Sequence, residues 1–325
     1  MRPPAFWLKP DRGAFAGLLT PLAALYGAVA GQRLRRSGIS LDVPVICVGN
    51  FTAGGTGKTP VVLALTRMLQ DRGLRPAILS RGFGRASKGV VKVDPRQHSA
   101  RDTGDEPLLL AERAPTFVAA DRVAAAAAAL REGADVLVMD DGLQNRGLVK
   151  SLGICVIDAA VGFGNGCVIP AGPLRARLEA QWPLVEAVMI VGEGVDRVAQ
   201  LAHAQGKSVL RAALRPDAAA RAEIKGRRLF AFAGIGRPEK FFTTLREAGG
   251  ELVARRSFDD HHAFADHEIA GLRAAAQAQN AQLVTTTKDF ARLSARQRQD
   301  IMVLPVELVF KEPEAINALL AAHLR

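Results

Sequence analysis

From about residue 44 onward, the chain alternates short runs of β-branched and other apolar residues with longer segments of helical periodicity. Because strands and helices alternate, the pattern predicts a parallel sheet covered by helices. We predict strands over 44–49, 76–80, 90–94, 136–140, 154–158 and 187–192. We predict helices over 58–72, 106–113 and 121–132, where a run of alanines favours a helix.

A second alternation begins near Arg228 with its own glycine turn. It reads as strand and helix in RLFAFAGIGRPEKFFTTL, a strand in ELVARRSF, a helix in HEIAGLRAAAQAQ and a strand in QLVTTTKD. The segment 210–225, which contains Pro216, is the predicted join. At 325 residues the chain exceeds the roughly 250 to 300 residues at which single cores stop growing. We therefore expect a larger domain over 37–212, preceded by an N-terminal helix within 1–36, and a smaller α/β domain over 213–325.

The N-terminal segment 13–32 carries no charge and is long enough to be considered as a membrane span. Pro21 and several glycines interrupt it, and its large apolar residues follow helical spacing on one side. We predict an amphipathic helix with Thr20 as its cap and Pro21 at its first position, ending near Arg36. The basic residues that flank this helix suit anionic head groups; they are Arg2, Lys9, Arg12, Arg33, Arg35 and Arg36.

Three interpretations of this segment compete. A secretory signal is disfavoured because no clear cleavage site follows it and a glycine-rich loop comes soon afterwards. A core helix of the first domain and an interfacial helix lying on a membrane both remain open. The uncharged length and the basic flanks favour the interfacial helix.

Charge and composition narrow the function classes. The formal net charge of +11 favours an anionic partner, such as a membrane surface or a phosphorylated substrate. At 5% the aromatic residues are too few for a base-stacking surface, and no nucleic-acid motif is apparent, so we expect no nucleic-acid partner. The three cysteines form no CxxC pair, which argues against a disulfide framework or a zinc site and fits a reducing cytosol.

The segment GNFTAGGTGKTP, 49–60, lies between a predicted strand and a predicted helix. This context favours a phosphate-binding loop over a chance glycine-rich turn, although Thr52 stands where the motif has its first glycine. We expect Lys58 to reach the β- and γ-phosphates of a nucleotide and Thr59 to bind Mg²⁺. The predicted nucleotide-binding residues of the loop are Thr52, Ala53, Gly54, Gly55, Thr56, Gly57, Lys58 and Thr59.

The strand 136–140 ends in Asp140 and Asp141, which is the arrangement of a Walker B acidic pair. Two aspartates in this place are a stronger signal than one, although both would also be compatible with a turn through Gly142. With the loop they predict a nucleotide·Mg²⁺ site, which leaves an ATPase, a GTPase and a kinase open. No guanine-reading motif is apparent, so we favour ATP.

Other polar clusters add candidate residues. GDEP contains Asp105 and Glu106, and FDDHHAF contains two adjacent histidines, His261 and His262. Neighbours on an extended chain point to opposite sides and do not share a metal ion easily, so one histidine acting as a general base beside a carboxylate is the better use. A solvated loop of mixed charge is the alternative.

Taken in order, VPVICVGNFTAGGTGKTP, SRGFGR, TGDEPLLLA, DDGLQN, IPAGPLR, AGIGRPEKFF, FDDHHAF and TTKD resemble the tetraacyldisaccharide 4′-kinase family of lipid A biosynthesis, over about 40–290. The resemblance implies a P-loop NTPase-type α/β fold. It also implies transfer of the γ-phosphate of ATP to the 4′-hydroxyl of tetraacyldisaccharide 1-phosphate, giving lipid IVA. It implies a peripheral enzyme on the cytoplasmic face of the inner membrane, with no obligate protein partner inferred. The family's loop is similar in lacking the first glycine.

The resemblance also implies residue roles. Lys58 and Thr59 match the phosphate and Mg²⁺ contacts. The expected metal ligands are Thr59, Asp140, Asp141 and Glu106. Asp105 and His261 match the pair that activates the acceptor hydroxyl, and Lys58 completes the expected catalytic set. Arg122 and Arg175 are similar to arginines near the phosphates.

Three positions depart from the family pattern: Asn145 replaces a histidine, Ala176 an acid and Thr287 a glutamate. These departures bear on secondary contacts and leave the reaction class unchanged. Two other functions remain possible at this point: an ATPase that couples hydrolysis to a membrane partner, and a non-catalytic nucleotide-binding module.

Overall fold

The chain forms two α/β units. The structure, a computed structural model, describes residues 4–9, 11–194 and 196–324. The larger unit runs to Ala213 and resumes at Leu308, and the smaller unit is Leu214–Glu307. The sequence analysis assigned all of 213–325 to the smaller domain. The segment from Leu308 onward belongs instead to the larger unit, because strand Val306–Phe310 joins the edge of its sheet.

The elements of the larger unit, in chain order, are α1 Ala14–Leu34, β1 Val45–Gly49, α2 Lys58–Gln70, β2 Pro76–Ser80, β3 Val91–Lys92, α3 Ala100–Thr103, α4 Asp105–Ala111, β4 Thr116–Val118, α5 Arg122–Arg131, β5 Val136–Asp140, β6 Leu152–Asp158, α6 Leu178–Gln181, β7 Ala187–Val191, α7 Arg197–Ala204 and β8 Ser208–Pro216. Short 3₁₀ helices cover Ala5–Trp7 and Trp182–Leu184.

The smaller unit contains α8 Ala218–Ile224, β9 Arg228–Ala233, α9 Pro238–Glu247, β10 Glu251–Ser257, α10 Asp266–Ala278, β11 Gln282–Thr286, α11 Thr287–Arg292 and β12 Met302–Leu304. Then β13 Val306–Phe310 and α12 Pro313–His323 return the chain to the larger unit.

The nine strands of the larger sheet have the order β13-β8-β7-β6-β1-β5-β2-β4-β3. From β8 to β4 every neighbouring pair is parallel, and β3 is antiparallel to β4. The central strands β1, β5, β6 and β7 are buried along their whole length, as expected where helices cover both faces of a parallel sheet. Because ligands bind at the carboxyl ends of such strands, the β1–β5 pair positions the site.

Helix α1 differs from the prediction in where it starts. It begins at Ala14, so Thr20 is not its cap and Pro21 lies inside the helix. Pro21 lacks an N–H, and the Thr20 hydroxyl donates to the Ala16 carbonyl at 3.0 Å. Arg2, one of the predicted basic flanks, lies outside the described residues.

The two faces of α1 differ in side-chain size more than in polarity. The small residues Ala16, Ala23 and Gly27 are buried, and Gly27 lies close to Val168. The large apolar residues are exposed; they are Phe15, Leu18, Leu22, Leu25, Tyr26 and Val29. Most of the helix is outside the core, unlike the core helix that the sequence left open. By length and composition α1 also meets the criteria for a helix that crosses a membrane.

The predicted join 210–225 contains the boundary between the two units, which falls between Ala213 and Leu214. This segment is mostly regular structure, because β8 extends to Pro216 and α8 begins at Ala218. The predicted strand 90–94 is shorter in the structure, where only Val91–Lys92 pairs with β4 at the edge of the sheet. Strand β4 itself was not predicted from the sequence.

The smaller unit is a four-stranded parallel sheet of order β10-β9-β11-β12. One apolar cluster, which contains Phe241 and Phe242, packs α9 against this sheet. Another cluster, which contains Phe232, Phe258 and Phe264, includes residues of α10. The strand–helix alternation predicted from Arg228 is observed. The TTKD motif spans the end of a strand and the start of a helix, because β11 ends at Thr286 and α11 begins at Thr287.

Two glycine-to-alanine substitutions test the packing. A Cβ at Gly153 in β6 would lie 2.2 Å from the Leu184 carbonyl oxygen, whereas a Cβ at Gly271 in α10 meets nothing within 4 Å. We expect Gly153→Ala to destabilise the larger unit by ~1–3 kcal/mol through overpacking. Gly271→Ala should instead stabilise α10 by ~1 kcal/mol.

The measurement is urea unfolding. Tryptophan fluorescence follows the larger unit, which contains Trp7 and Trp182, and far-ultraviolet circular dichroism follows both units. Equal midpoints for Gly153→Ala and the unmodified protein would contradict the close approach of β6 to Leu184.

Candidate active site

The glycine-rich loop connects the buried strand β1 to α2. Gly54 and Gly57 have φ values of 115° and 85°, which only glycine adopts readily. A Cβ added at Gly54 or Gly55 would meet nothing within 4 Å, so the loop borders open space at the N-terminus of α2. Backbone N–H groups and the helix dipole make such a place suitable for phosphate.

The mouth of the loop is extended and pairs with a distant segment of the larger unit. Thr52 forms an antiparallel bridge with Leu174. The Ala53 N–H donates to the Pro173 carbonyl at 2.8 Å, and the Arg175 N–H donates to the Phe51 carbonyl at 2.9 Å. Arg175 also donates from Nε to the Thr52 carbonyl at 3.1 Å. Since Thr52 is in extended pairing, this position does not need the glycine of the usual motif.

An aromatic cluster anchors the same mouth. Phe51 is buried, with ring centroids 5.1 Å from Trp182 and 6.2 Å from Phe163. The Phe51 carbonyl also accepts a hydrogen bond from Gln181 Nε2 at 3.3 Å. The loop therefore starts from a rigid point in the core.

Asp141 lies beside the loop because β5 pairs with β1, with Asp140 opposite Val48. Its backbone has φ 51°, and its N–H donates to the Val48 carbonyl at 2.9 Å. Asp141 Oδ1 is 3.8 Å from Lys58 Nζ, and Oδ2 accepts from Arg175 Nη2 at 3.0 Å. Burial opposes ionisation of Asp141, but Lys58 and then Arg175 outweigh it and hold the pKa of this carboxyl below its ordinary value.

Asp140 is buried in an environment that disfavours its ionised form. Its Oδ2 accepts from the Ser80 hydroxyl at 3.1 Å, whereas Oδ1 has no hydrogen-bond partner within the described part of the chain. Burial, together with the nearby charges of Glu106 and Asp141, raises the pKa of Asp140 to about 7. Glu106 Oε1 in turn accepts from the Thr59 hydroxyl at 3.4 Å.

Arg122 adds a buried positive charge near this group. It lies at the start of α5 and donates from Nη1 to the Ala119 carbonyl. Burial lowers the pKa of Arg122, and the charge of Asp140 opposes that shift. The carboxyl edge of the sheet thus collects basic and acidic side chains around an open phosphate-binding loop.

Comparisons with known proteins agree with this geometry. The model of a family described as LpxK, tetraacyldisaccharide-1-P 4′-kinase, matches residues 15–325. The tetraacyldisaccharide 4′-kinase of Methylobacterium sp. (strain 4-46) is 52% identical over 329 residues, covering 100% of this chain and 98% of the relative. That of Methylobacterium nodulans is 52% identical over 326 residues, covering 100% and 96%. The crystal structure of LpxK from Aquifex aeolicus in complex with ATP has a TM-score of 0.77 at 25% identity, covering 95% of this chain and 99% of that one.

The chain belongs to the tetraacyldisaccharide-1-P 4′-kinase family. The resemblance drawn from the motifs and the predicted fold class are therefore confirmed. The protein is an ATP-dependent kinase that phosphorylates the 4′ position of tetraacyldisaccharide 1-phosphate in lipid A biosynthesis. Family membership sets aside both the ATPase and the non-catalytic module. Because the substrate is a lipid, the enzyme associates with a membrane.

ATP and Mg²⁺, the predicted cofactors, are those of this kinase family. The described side chains fit Mg²⁺, since Thr59, Glu106 and Asp140 offer only oxygen atoms and Oδ1 of Asp140 is buried without a partner among them. No group of three or more His, Cys, Asp or Glu residues suited to a metal ion occurs within the residues described. The predicted ligands Glu106, Asp140 and Asp141 are therefore not such a group, whereas Mg²⁺ usually takes one or two carboxylates and completes its shell with phosphate and water.

The kinase carries its two candidate acceptor-side residues in different units. Asp105, in the larger unit, is buried at the first position of α4, directly before Glu106. His261 is exposed in the smaller unit, with φ 60°. His262 has a different environment, since its ring packs against Phe258 and Phe264 and its Nε2 lies 2.9 Å from Glu268 Oε2.

The sequence analysis missed several polar residues of the site. Ser80 ends β2, the strand next to β5, so its hydroxyl reaches Asp140 from the same sheet edge. Gln144 donates from Nε2 to the Asn50 carbonyl and to Gln181 Oε1, both at 2.9 Å, and Asn50 donates from Nδ2 to the Gly54 carbonyl at 3.2 Å. The signals in the sequence were the place of Ser80 at the end of a predicted strand and the places of Asn50 and Gln144 within the quoted motifs. The contacts of Gln144 with Asn50 and Gln181 cross long separations in the chain.

The departures from the family pattern have local structural roles. Asn145 Oδ1 accepts from the Gly147 N–H at 2.9 Å within a turn. Ala176 is fully buried, a place where an acid would need a partner. Thr287 is the first residue of α11.

Arg175→Lys tests the connection between the loop and the acidic pair. A lysine cannot make the contacts to Thr52 and Asp141 together, so one charge-assisted hydrogen bond is lost, at a cost of ~1.5–3 kcal/mol or about 10- to 100-fold in rate. The measurement is kcat/KM for ATP with saturating lipid acceptor. Arg131→Lys, an exposed change at the end of α5, is the matched control. A wild-type value for Arg175→Lys would show that the two contacts are not needed together.

Proposed function

We propose that this kinase binds the phosphates of ATP at Lys58 and Arg175. We further propose that it activates the acceptor hydroxyl with Asp105 and His261 while bound peripherally to the cytoplasmic face of the inner membrane through α1. The convergence of Lys58 and Arg175 on Asp141, beside the open glycine loop, is the single observation that carries the proposal. In the absence of ATP the carboxylate balances both cations, which keeps them at the place where phosphate charge arrives.

The phosphate side rests on charge and positioning. Phosphoryl transfer leaves little covalent work for the protein, so a fixed array of cations supplies most of the acceleration. Lys58 begins α2, and Arg175 is fixed by its contact with Thr52, so both cations are oriented before ATP binds. Mg²⁺, when bound, adds further neutralisation of phosphate charge, and Thr59, Glu106, Asp140 and Asp141 are the side chains we assign to it.

The acceptor side rests on two residues of contrasting burial. Asp105 is a buried carboxylate at a helix N-terminus, and His261 is an exposed imidazole on a left-handed backbone. Non-glycine residues held at positive φ are concentrated at functional sites. His262 is a structural residue, because aromatic rings and Glu268 occupy its surroundings. Asp105 lies in the larger unit and His261 in the smaller unit.

Asp105→Asn and His261→Ala test this pair. Each should lower kcat for transfer of labelled γ-phosphate to the lipid disaccharide by about 10²–10⁴-fold, the usual contribution of general acid–base catalysis. The affinity for a fluorescent ATP analogue should stay close to wild type, since neither residue belongs to the glycine loop. If either variant keeps wild-type kcat, that residue has no role in proton removal.

The membrane side rests on α1. Its exposed large side chains form an uninterrupted apolar face, and Arg33, Arg35 and Arg36 follow at its C-terminal end. In this proposal the exposed apolar side chains of α1 lie among the acyl chains, while the basic residues contact anionic head groups. Binding through α1 would hold the enzyme at the surface that contains its acylated substrate.

Replacing Leu18, Leu22 and Leu25 together by serine tests the docking face without removing the buried face of α1. Each leucine contributes ~1.5–3 kcal/mol when fully buried, so partition onto anionic vesicles should fall by at least tenfold. Activity on a detergent-dispersed acceptor should change much less. The matched control replaces three exposed apolar residues elsewhere in the larger unit, Val149, Leu201 and Val309. Unchanged vesicle binding by the α1 variant would remove this helix from the docking surface.

A further inference from the structure

We infer that Arg292 is a positioning residue for His261, and that it fixes both the orientation and the tautomer of the imidazole. The inference rests on the proposed role of His261. All the residues that carry it belong to the smaller unit.

The backbone of His261 is fixed by Gly234. The His261 N–H donates to the Gly234 carbonyl at 3.1 Å, and the φ of 60° turns the side chain out of the loop. Gly234 leaves no room for a larger residue, because a Cβ there would lie 3.1 Å from the Asp259 carbonyl oxygen and 3.2 Å from Asp289 Oδ1. The backbone just after β9 therefore lies close to Asp259 and Asp289.

Arg292 meets the same carbonyl from α11. Its Nη1 donates to the Gly234 carbonyl at 2.7 Å and to Asp289 Oδ1 at 2.8 Å. Asp289 Oδ2 accepts from the Thr286 hydroxyl at 2.7 Å, and that hydroxyl accepts from the Asp289 N–H at 3.1 Å. The side chains of Arg292 and Asp289 are 6% and 0% exposed. The guanidinium is thus held in one orientation by a buried network.

The other end of this guanidinium faces the imidazole. Arg292 Nη2 lies 3.4 Å from His261 Nδ1, and Asp260 Oδ1 lies 3.9 Å from His261 Nε2. A guanidinium can only donate, so Nδ1 must carry its lone pair toward Arg292. A carboxylate only accepts, so it favours a proton on Nε2. The contact with Arg292 therefore selects the neutral tautomer with the proton on Nε2, and the more distant carboxylate of Asp260 is compatible with it.

This arrangement gives the TTKD motif a function. Thr286 hydrogen-bonds Asp289, and Asp289 accepts a hydrogen bond from Arg292. The guanidinium held in this way restricts the orientation of the His261 ring. A fixed N–H on Nε2 means that His261 presents a hydrogen-bond donor at its exposed edge. The ring would then orient a carboxylate that takes the proton of the acceptor hydroxyl and would not take that proton itself. The tautomer is set by a neighbouring group, as is general for functional histidines.

Nitrogen-15 NMR of the full-length protein labelled in histidine measures the tautomer directly. The protein contains six histidines, and the signal that disappears in His261→Gln identifies His261. In the wild type, well above the pH at which the ring is protonated, we expect an unprotonated Nδ1 and a protonated Nε2. A protonated Nδ1 would overturn the inference, and this measurement needs no change at Arg292.

Arg292→Lys and Arg292→Gln test the dependence. A lysine keeps the charge but not the planar fork, so it cannot bond Gly234 and Asp289 and still face Nδ1. We expect both variants to show a mixture of His261 tautomers and a kcat lower by about tenfold or more, as for misplaced catalytic groups. KM for ATP should stay within about twofold, since the glycine loop lies in the larger unit. Arg296→Lys, an exposed change shortly after α11, is the matched control.

The outcomes separate this inference from the proposed function. If His261→Gln keeps full kinase activity, the role of His261 fails, while the tautomer signal still tests its contact with Arg292. If Arg292→Lys and Arg292→Gln remain folded by circular dichroism and keep the wild-type tautomer and kcat, Arg292 does not position His261.

Discussion

The site depends on the hydrogen-bonded contact between the mouth of the glycine loop and the segment 173–175. A phosphate-binding loop must hold its backbone N–H groups in a fixed curve around open space. A first glycine usually allows the tight turn at the mouth. Here Thr52 forms a β-bridge and Ala53 a backbone hydrogen bond with a separate segment, so the loop takes its shape from neighbouring backbone. The same segment contributes Arg175, whose guanidinium connects Thr52 to Asp141. Loop shape and site charge are therefore set by one contact.

The electrostatics follow from the edge of the sheet. Parallel strands bring their carboxyl ends together, and β1, β5 and β2 thereby place the loop, the acidic pair and Ser80 side by side. The two aspartates respond in opposite directions to this crowding. Lys58 and Arg175 stabilise the ionised form of Asp141. Burial and two acidic neighbours disfavour the ionised form of Asp140. A buried carboxylate oxygen without a partner in the described chain is costly, and a divalent cation relieves that cost.

Two features outside the nucleotide site also separate buried side chains from exposed ones. In α1 the small residues pack inward, which leaves the large apolar side chains exposed. In the smaller unit the two adjacent histidines separate in the same way, since His262 packs against aromatic rings while His261 projects from a strained backbone beside Arg292. Adjacent residues can divide in this way because successive side chains of a turn point in different directions.

The sequence by itself determined the fold class, most strands and helices of both units, the glycine loop, the acidic pair and the family, because these are carried by local periodicity and by short motifs in a fixed order. It placed the start of α1 at Thr20 because proline is favoured at a first helical turn, whereas the helix begins at Ala14 and continues through Pro21. Only the tertiary structure decided why Thr52 is accepted in the loop, which residues hold Asp140, and that Arg292 faces His261. Each of these contacts joins residues far apart in the chain or depends on the direction of one side chain. Local patterns do not encode either property, and packing and hydrogen bonding select it once the sheet is formed.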